Sequence, residues 1–393
     1  MRERTLGLSM IVKNEERNLP LSLGPLIRLA DEAVVLDTGS ADGTKRIARE
    51  MGATVRESPW PDDFSLARNT ALFYATTDFV MWLDADNQVD PDDFRRLKET
   101  ISASPLNRVF VLEELVVPQG DRLRQKRVFP RVPGVCFQGR IHEQLVHPAS
   151  FEVRYVPTTV RHWGYADPLE RKRKGERNLA LLLSAPETLA GDFYHLYQTG
   201  RTLLNLRRQG EALEFLDRAA RKPDADPSLW SHVMILKAQI LTAFRRDGEA
   251  LQSLGELVER RPRYGLGRYF LGKTLHRLGR DREALEELKL ASSLGLSDSG
   301  WGAPRDKITF TCAQLLGRLL LATRKEEEAR EAFSKAAEIN PDNPEPRVAL
   351  AEIAAGFGRA EEARFHLEEA LRLSPGHRRA RDIYQGLIRG EGL

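Results

Sequence analysis

The stretch Phe79-Val80-Met81-Trp82-Leu83-Asp84-Ala85-Asp86-Asn87 decides the fold. Five apolar residues in a row leave the strand no polar face, so it belongs in the middle of a parallel sheet covered on both sides. Ligands of such sheets bind just beyond the carboxyl ends of the strands. Asp84 and Asp86 stand at that end, two residues apart, where both carboxylates can turn toward one pocket. Like charges repel there unless a cation lies between or beside them, and a hard divalent cation holding a ligand's phosphates meets that need. An ordinary acidic turn is the plainer alternative, because Asp and Asn are frequent in turns.

Working outward, Leu6 to Val12 reads as a first strand, with Asn14 as the cap of a helix carrying Leu19 and broken early by Pro20 and Pro25. Ala33 to Leu36 is a second strand, followed by the turn Asp37 to Thr44 and a helix with Ile47, Ala48 and Met51 on its apolar side. Thr54-Val55 begins a third strand, and Phe64 to Tyr74 has helical spacing and leads into the central strand. Strands recurring with helices between them mean a parallel α/β layer. There is no Gly-x-Gly-x-x-Gly after the first strand and no Gly-Lys-Ser/Thr loop, which disfavours a dinucleotide enzyme or a P-loop hydrolase. Past Asp93 come a helix to Ile101, a strand from Val109 to Val117 that carries Glu113-Glu114, a basic run from Arg122 to Arg131, and short strands around Gly134 to His142. Arg171-Lys172-Arg173-Lys174 opens a charged helix or linker.

The totals fit this reading. In 393 residues, 41% apolar and 30% charged, there is room for two or three soluble domains. The net charge of +3 arises from 60 basic against 57 acidic residues, which is no argument for a nucleic-acid partner. Cys136 and Cys312 make neither a disulfide framework nor a thiolate metal site, and fit a reducing compartment. The start of the chain does not resemble a secretion signal, and no apolar run is long enough for a spanning helix. A cytoplasmic protein without a transmembrane segment is expected, at most peripheral to the inner face of the membrane.

Several residues could carry chemistry at the sheet edge. Asp37, at the tip of the second strand, could accept from the imide N–H of a pyrimidine, or simply form its turn. Arg68 could reach a nucleotide or its phosphates, or form a surface ion pair. Asn69, among Ala67, Ala71 and Leu72, is suited to satisfying buried loop backbone. Glu143 is the choice for a general base that deprotonates an acceptor, against a surface carboxylate paired with arginine. His162 is a candidate metal ligand beside Asp86, acceptable to Mn2+ and less favoured by Mg2+, against a packing role. Arg122, Arg124, Lys126 and Arg127 could balance phosphate, or be a solvated loop.

Five pieces in order, SMIVKNEERNL (9–19), VVLDTGSADGTKRIARE (34–50), ARNTALFYATTDFVMWLDADN (67–87), GRIHEQL (139–145) and RHWGY (161–165), carry a specific resemblance. The sequence resembles the inverting glycosyltransferases of family 2, with their GT-A fold, in the branch fused to a tetratricopeptide domain. The resemblance implies Asp37 as the base-binding Asp, Asp84 as the nucleotide-side and Asp86 as the metal-side member of the DxD motif, Glu143 as the catalytic base, and His162 as a further metal ligand. It also implies direct displacement at the anomeric carbon, with inversion. Together with Asp37, it makes a UDP-sugar the first expectation for the donor.

From about residue 189 the pattern changes to paired helices. Ala212, Ala250, Ala284, Ala329 and Ala363 recur at steps of 38, 34, 45 and 34 residues, the tetratricopeptide period, with Pro262, Pro341 and Pro375 at unit ends. The long step contains an insertion from Gly295 to Pro304 with Trp301, and Gly390-Glu391-Gly392 should fray. The expected division is 1–188 for the α/β domain, with a basic linker near 170–178, and 189–393 for the repeats. The expected partners are a nucleotide-sugar donor, a saccharide, lipid-linked glycan or peptide acceptor, and protein contact or a homodimer through the repeats. The rival is a noncatalytic repeat scaffold keeping a degenerate nucleotide-binding domain.

Overall fold

The computed structural model describes residues 3–117, 120–163, 168–222, 225–296 and 305–389. Gly164 and Tyr165 of the last matching piece, Trp301 with most of the insertion, and the Gly390-Glu391-Gly392 tail lie outside the described residues. The chain divides into two compact units, Met1–Ala225 and Asp226–Leu393.

The first unit begins with β1 (Leu6–Val12), α1 (Leu19–Ser22), β2 (Glu32–Asp37), α2 (Thr44–Glu50), β3 (Thr54–Glu57), α3 (Phe64–Tyr74) and β4 (Phe79–Leu83). It continues with β5 (Asn87–Val89), α4 (Pro91–Ser102), β6 (Arg108–Val116), β7 (Asp121–Pro130), β8 (Cys136–Gln138), β9 (Gln144–Val146) and β10 (Glu152–His162). The sheet runs β3-β2-β1-β4-β7-β6-β10-β5. β3, β2, β1 and β4 are mutually parallel, as the apolar strands require. Beyond β4 the sheet is mixed, since β7 pairs antiparallel with both β4 and β6 while β6 and β10 are parallel. Alternate residues of β4 reach opposite faces: Phe79, Met81 and Leu83 join Leu8 and Met10 in the larger core, while Val80 meets Val34, Phe129 and Phe137 in the smaller. Both faces being covered, no residue of this strand has to be polar.

Two local expectations are corrected. Asn14 does not cap α1, whose N-cap position is Asn18, without a side-chain cap bond. With φ of +57°, Asn14 instead accepts from Ala41 N at 2.8 Å and donates its own N–H to Ser40 Oγ at 2.8 Å, tying the β1 loop to the turn after β2. The basic run from Arg122 is not a loop but the strand β7, lying beside Glu113 and Glu114 of β6.

The first unit closes with α5 (Pro168–Ser184), α6 (Pro186–Leu189) and the hairpin α7 (Phe193–Asn205) and α8 (Gln209–Ala220), which carries the first copy of the repeat pattern. The second unit holds α9 (Pro227–Ala243), α10 (Asp247–Arg260), α11 (Gly265–Arg277), α12 (Asp281–Leu294), α13 (Arg305–Ala322), α14 (Glu326–Ile339), α15 (Glu345–Gly356), α16 (Ala360–Leu373) and α17 (Arg378–Arg389). The five recurrent alanines are fully buried in α8, α10, α12, α14 and α16. Close approach within hairpins explains the small residues opposite them. A Cβ on Gly272 would lie 2.8 Å from Leu288, and one on Gly317 2.8 Å from Phe333. Each hairpin turns through one left-handed residue, Arg207, Arg245, Gly279, Arg324 and Gly358 in order, with φ between 55° and 73°. No helix among the described residues is long and apolar enough to cross a membrane.

Candidate active site

The functional edge is where β1, β2 and β4 end. Asp37 pairs with Val12 and Leu83 with Met10 in register, so the tips carrying Asp37 and Asp84 are two strand spacings apart, roughly 10 Å. Asp37 is buried. Its Oδ1 accepts from the amides of Gly39 at 3.0 Å and Ser40 at 2.8 Å, the turn role, while its Oδ2 is buried without a hydrogen-bond partner. An unpaired buried carboxylate oxygen is costly.

The acidic turn after β4 is built around Asn87. Its Oδ1 accepts from Asp84 N at 3.1 Å and from Arg127 Nη1 at 2.8 Å, which fixes the amide orientation and aims Nδ2 at His162 Nδ1, 2.9 Å away. His162 lies opposite Asn87 because β10 pairs with β5 there. Its Nδ1 is also 3.3 Å from Asp86 Oδ1. The neutral ring accepts from Asn87, and the charged ring turns its proton to Asp86. Burial lowers the His162 pKa, but Asp86 together with the charges of Glu114 and Asp84 turns the net direction upward. Burial likewise raises the Asp86 carboxyl, yet His162 and Lys174 Nζ, at 2.9 Å from Oδ2, hold it well below the usual carboxylate range.

Arg68 joins the two halves of the site. It is buried on α3, giving Nη2 to Asp84 Oδ1 at 2.9 Å and Nε to Glu143 Oε1 at 2.5 Å. Its guanidinium stacks 4.1 Å over Trp82, and Arg127 covers the same ring at 3.7 Å. Arg68 is therefore a buried tie between two carboxylates. Glu143 lies on the β8–β9 turn, where Gly139 and His142 have φ of +96° and +54°. α3 holds this turn at three further points. Asn69 exchanges two hydrogen bonds of 2.8 Å with the Phe137 backbone, as its position among apolar residues indicated, and Phe64 N donates to Arg140 O at 2.8 Å.

Glu15, at the end of β1 between the tips carrying Asp37 and Asp84, was missed by sequence reasoning. Burial, with the negative charges of Asp86 and Asp84, raises its carboxyl despite the hydrogen bond from Asn18. Its place at a central strand end is the signal that could have found it. The basic run does not supply the phosphate cluster considered from sequence. Arg122 pairs with Glu113, Arg127 with Glu114 and Asn87, Lys126 with His147, and Arg124 stacks over Tyr155. Charged strands in register neutralise one another across the ladder.

Asp86 and His162 offer a carboxylate and an imidazole, a donor set acceptable to Mn2+ and less favoured by Mg2+. Among the described residues no group of three or more His, Cys, Asp or Glu side chains is arranged to hold a metal ion. Cations of nucleotide sites use one or two carboxylates plus substrate phosphates, so the two protein groups fit a cation completed by its ligand. A cation on His162 Nδ1 requires that the bond from Asn87 be given up.

Residues 8–126 match the glycosyl transferase family 2 model, and residues 315–386 a tetratricopeptide repeat model. A TPR repeat-containing protein of Synechococcus elongatus is 36% identical over 184 residues, covering 44% of this chain and 45% of the relative. The SPbeta prophage-derived glycosyltransferase SunS of Bacillus subtilis is 26% identical over 228 residues, 55% of this chain and 53% of the relative. The chain thus spans about half the length of these curated relatives. The solved structure of YrrB, a TPR protein, overlays with a TM-score of 0.41 at 19% identity, covering 51% of this chain and 95% of that one. The chain joins an N-terminal glycosyltransferase family 2 domain to a C-terminal tetratricopeptide array.

Proposed function

We propose that the protein transfers a sugar from a nucleotide-sugar donor to a nucleophilic acceptor, with residues 1–188 as the catalytic domain and 189–393 as the repeats. The observation that carries this reading is the double grip of Arg68 on Asp84 and Glu143, which holds a carboxylate at the end of β4 and one on the β8–β9 turn to a single guanidinium. A UDP-sugar is the first donor, supported by the unpartnered Asp37 Oδ2, which matches the imide N–H of uracil. Asp84 accepts from the nucleoside side of the donor, and Arg68 serves the donor site by fixing Asp84.

Asp86, with His162, would hold Mn2+ or Mg2+. When bound, that cation neutralises the charge on the departing diphosphate. Glu143 takes the proton from the acceptor as it attacks the anomeric carbon on the face opposite the diphosphate, which inverts the configuration. The acceptor is a saccharide, a lipid-linked glycan or a peptide, and the repeats supply protein contact or a homodimer. The free thiols Cys136 and Cys312 support a cytoplasmic setting.

A thermal-shift screen of nucleotide sugars with Mn2+ or Mg2+ tests the donor class, because a ligand that prefers the native state raises its melting temperature. Asp86→Ala should abolish metal-dependent donor hydrolysis with the fold retained. Glu143→Gln should keep donor binding and lose transfer. No shift with any nucleotide sugar, or full activity in the Asp86 variant, would sink the reading.

A further inference from the structure

Sequence reading left α5 as a charged helix or linker, yet α5 touches both halves of the site. Near its C-terminal end Leu181 and Leu182 pack with Ile141, Trp60 and Phe64, so the helix is seated on the turn that carries Glu143. Lys174 lies seven residues before Leu181, hence on the same helical face, and reaches Asp86 Oδ2 at 2.9 Å. Between them Arg177 stacks 5.2 Å over Phe64, a second anchor. The apolar end fixes the helix and the basic end brings one ammonium over the acidic turn.

Both oxygens of Asp86 are engaged, Oδ1 beside His162 and Oδ2 by Lys174, so a cation arriving at Oδ2 meets the like charge of the Lys174 ammonium. On the Oδ1 side Arg127 and the Asp84 amide hold Asn87, and strand pairing holds His162, so the backbone there stays in place and a cation needs only the Asn87–His162 bond to open. Lys174 is different. Its side chain is 28% exposed, and an ammonium on a four-carbon stem moves without disturbing the helix.

We propose that Lys174 is the resident counter-cation of Asp86, displaced by an arriving divalent cation onto the diphosphate of the donor. The inference rests on reading Asp86 as the cation-binding carboxylate of a nucleotide-sugar site. The step is an exchange of ion pairs in which no covalent bond changes. Without donor, the ammonium neutralises the buried carboxylate. Metal alone must evict it toward protein carboxylates such as Glu15, whereas the diphosphate adds a stronger anion to receive it, so cation and nucleotide bind cooperatively.

The test uses the full chain and two readouts other than turnover: Mn2+ binding without nucleotide, by paramagnetic resonance of the free ion, and UDP binding at saturating Mn2+, by calorimetry. Lys174→Met should tighten Mn2+ binding roughly tenfold, the factor that corresponds to about 1.4 kcal/mol of removed competition, and should weaken UDP binding. Lys174→Arg should stay near the wild type in both. Unchanged or weaker Mn2+ binding in Lys174→Met, or unchanged UDP binding, overturns the inference. Asp86→Asn separates the two levels. If it binds Mn2+ like the wild type, the reading of Asp86 fails. If it loses Mn2+ binding while Lys174→Met changes nothing, the role of Lys174 alone fails.

Discussion

Replacing Arg68 by Met removes one guanidinium from two carboxylates and an aromatic ring. The Arg68 and Glu143 side chains are 7% and 12% exposed, so that half of the contact is nearly dry, while Asp84 at 35% is partly screened by water. Removing one partner of a fully desolvated pair costs about 3–5 kcal/mol, and the exposed share of Asp84 brings the figure to the low end. Loss of the stacking on Trp82 adds about 1 kcal/mol, offset in part by the apolar Met, which leaves roughly 3 kcal/mol. Arg68→Lys should recover little, because one ammonium cannot bridge both carboxylates and lie flat on the ring. Adding Glu143→Gln to Arg68→Met should return part of the loss, since the stranded charge is then gone. Urea unfolding of the full chain, with the transition of the α/β unit resolved by near-ultraviolet circular dichroism, measures all four proteins. Arg68→Met within about 0.5 kcal/mol of the wild type, the range of ordinary surface changes, would refute the reasoning.

Further outcomes follow from other parts of the structure. Burial, with the positive charges of Arg201 and His195, pushes the His142 ring down to about 4 from an ordinary 6.5. The folded state then binds fewer protons than the unfolded one, so stability falls as pH drops from 6.5 toward 4, by about 3 kcal/mol at about 1.4 kcal/mol per pH unit. His142→Asn, which tolerates the positive φ, should flatten that slope, and an unchanged slope would assign the acid sensitivity elsewhere. Arg245→Gly and Arg324→Gly relieve left-handed backbone at hairpin turns and should each stabilise the second unit by up to about 1 kcal/mol in thermal melts. Gly272→Ala drives a Cβ to 2.8 Å from Leu288 and 3.1 Å from Ala284 O, and should cost about 1–3 kcal/mol in the same assay. Asn69→Ala strands both backbone groups of Phe137. It should cost about 2 kcal/mol and lower transfer more than donor binding, because the Glu143 turn loosens.

What could be read from sequence was set by local rules. Phe79–Leu83 and Phe64–Tyr74 fall where apolar runs and helical spacing put them, and Ala250 and Ala284 bury themselves because each repeat closes within one hairpin. Asp37, Asp84 and Asp86 reach one edge because parallel strands deliver their carboxyl ends together. Pairings between distant segments left no such mark. Nothing near Arg127 announces that it will be buried against Glu114, because that contact exists only once β7 lies beside β6. Nor does the run Arg171 to Lys174 show that one of its four charges turns back to Asp86, since that depends on where Leu181 and Leu182 find Ile141.

On the proposed function, a cation at the end of β4 joins Asp86 to the diphosphate of a nucleotide sugar. The most direct measurement is a crystal structure of the full chain with UDP and Mn2+, with anomalous data collected at the manganese edge. The account requires a manganese peak coordinated by Asp86 and the diphosphate, with the uracil imide on Asp37 Oδ2. A nucleotide bound away from Asp84 and Asp86, or a manganese peak with no contact to Asp86, would contradict it.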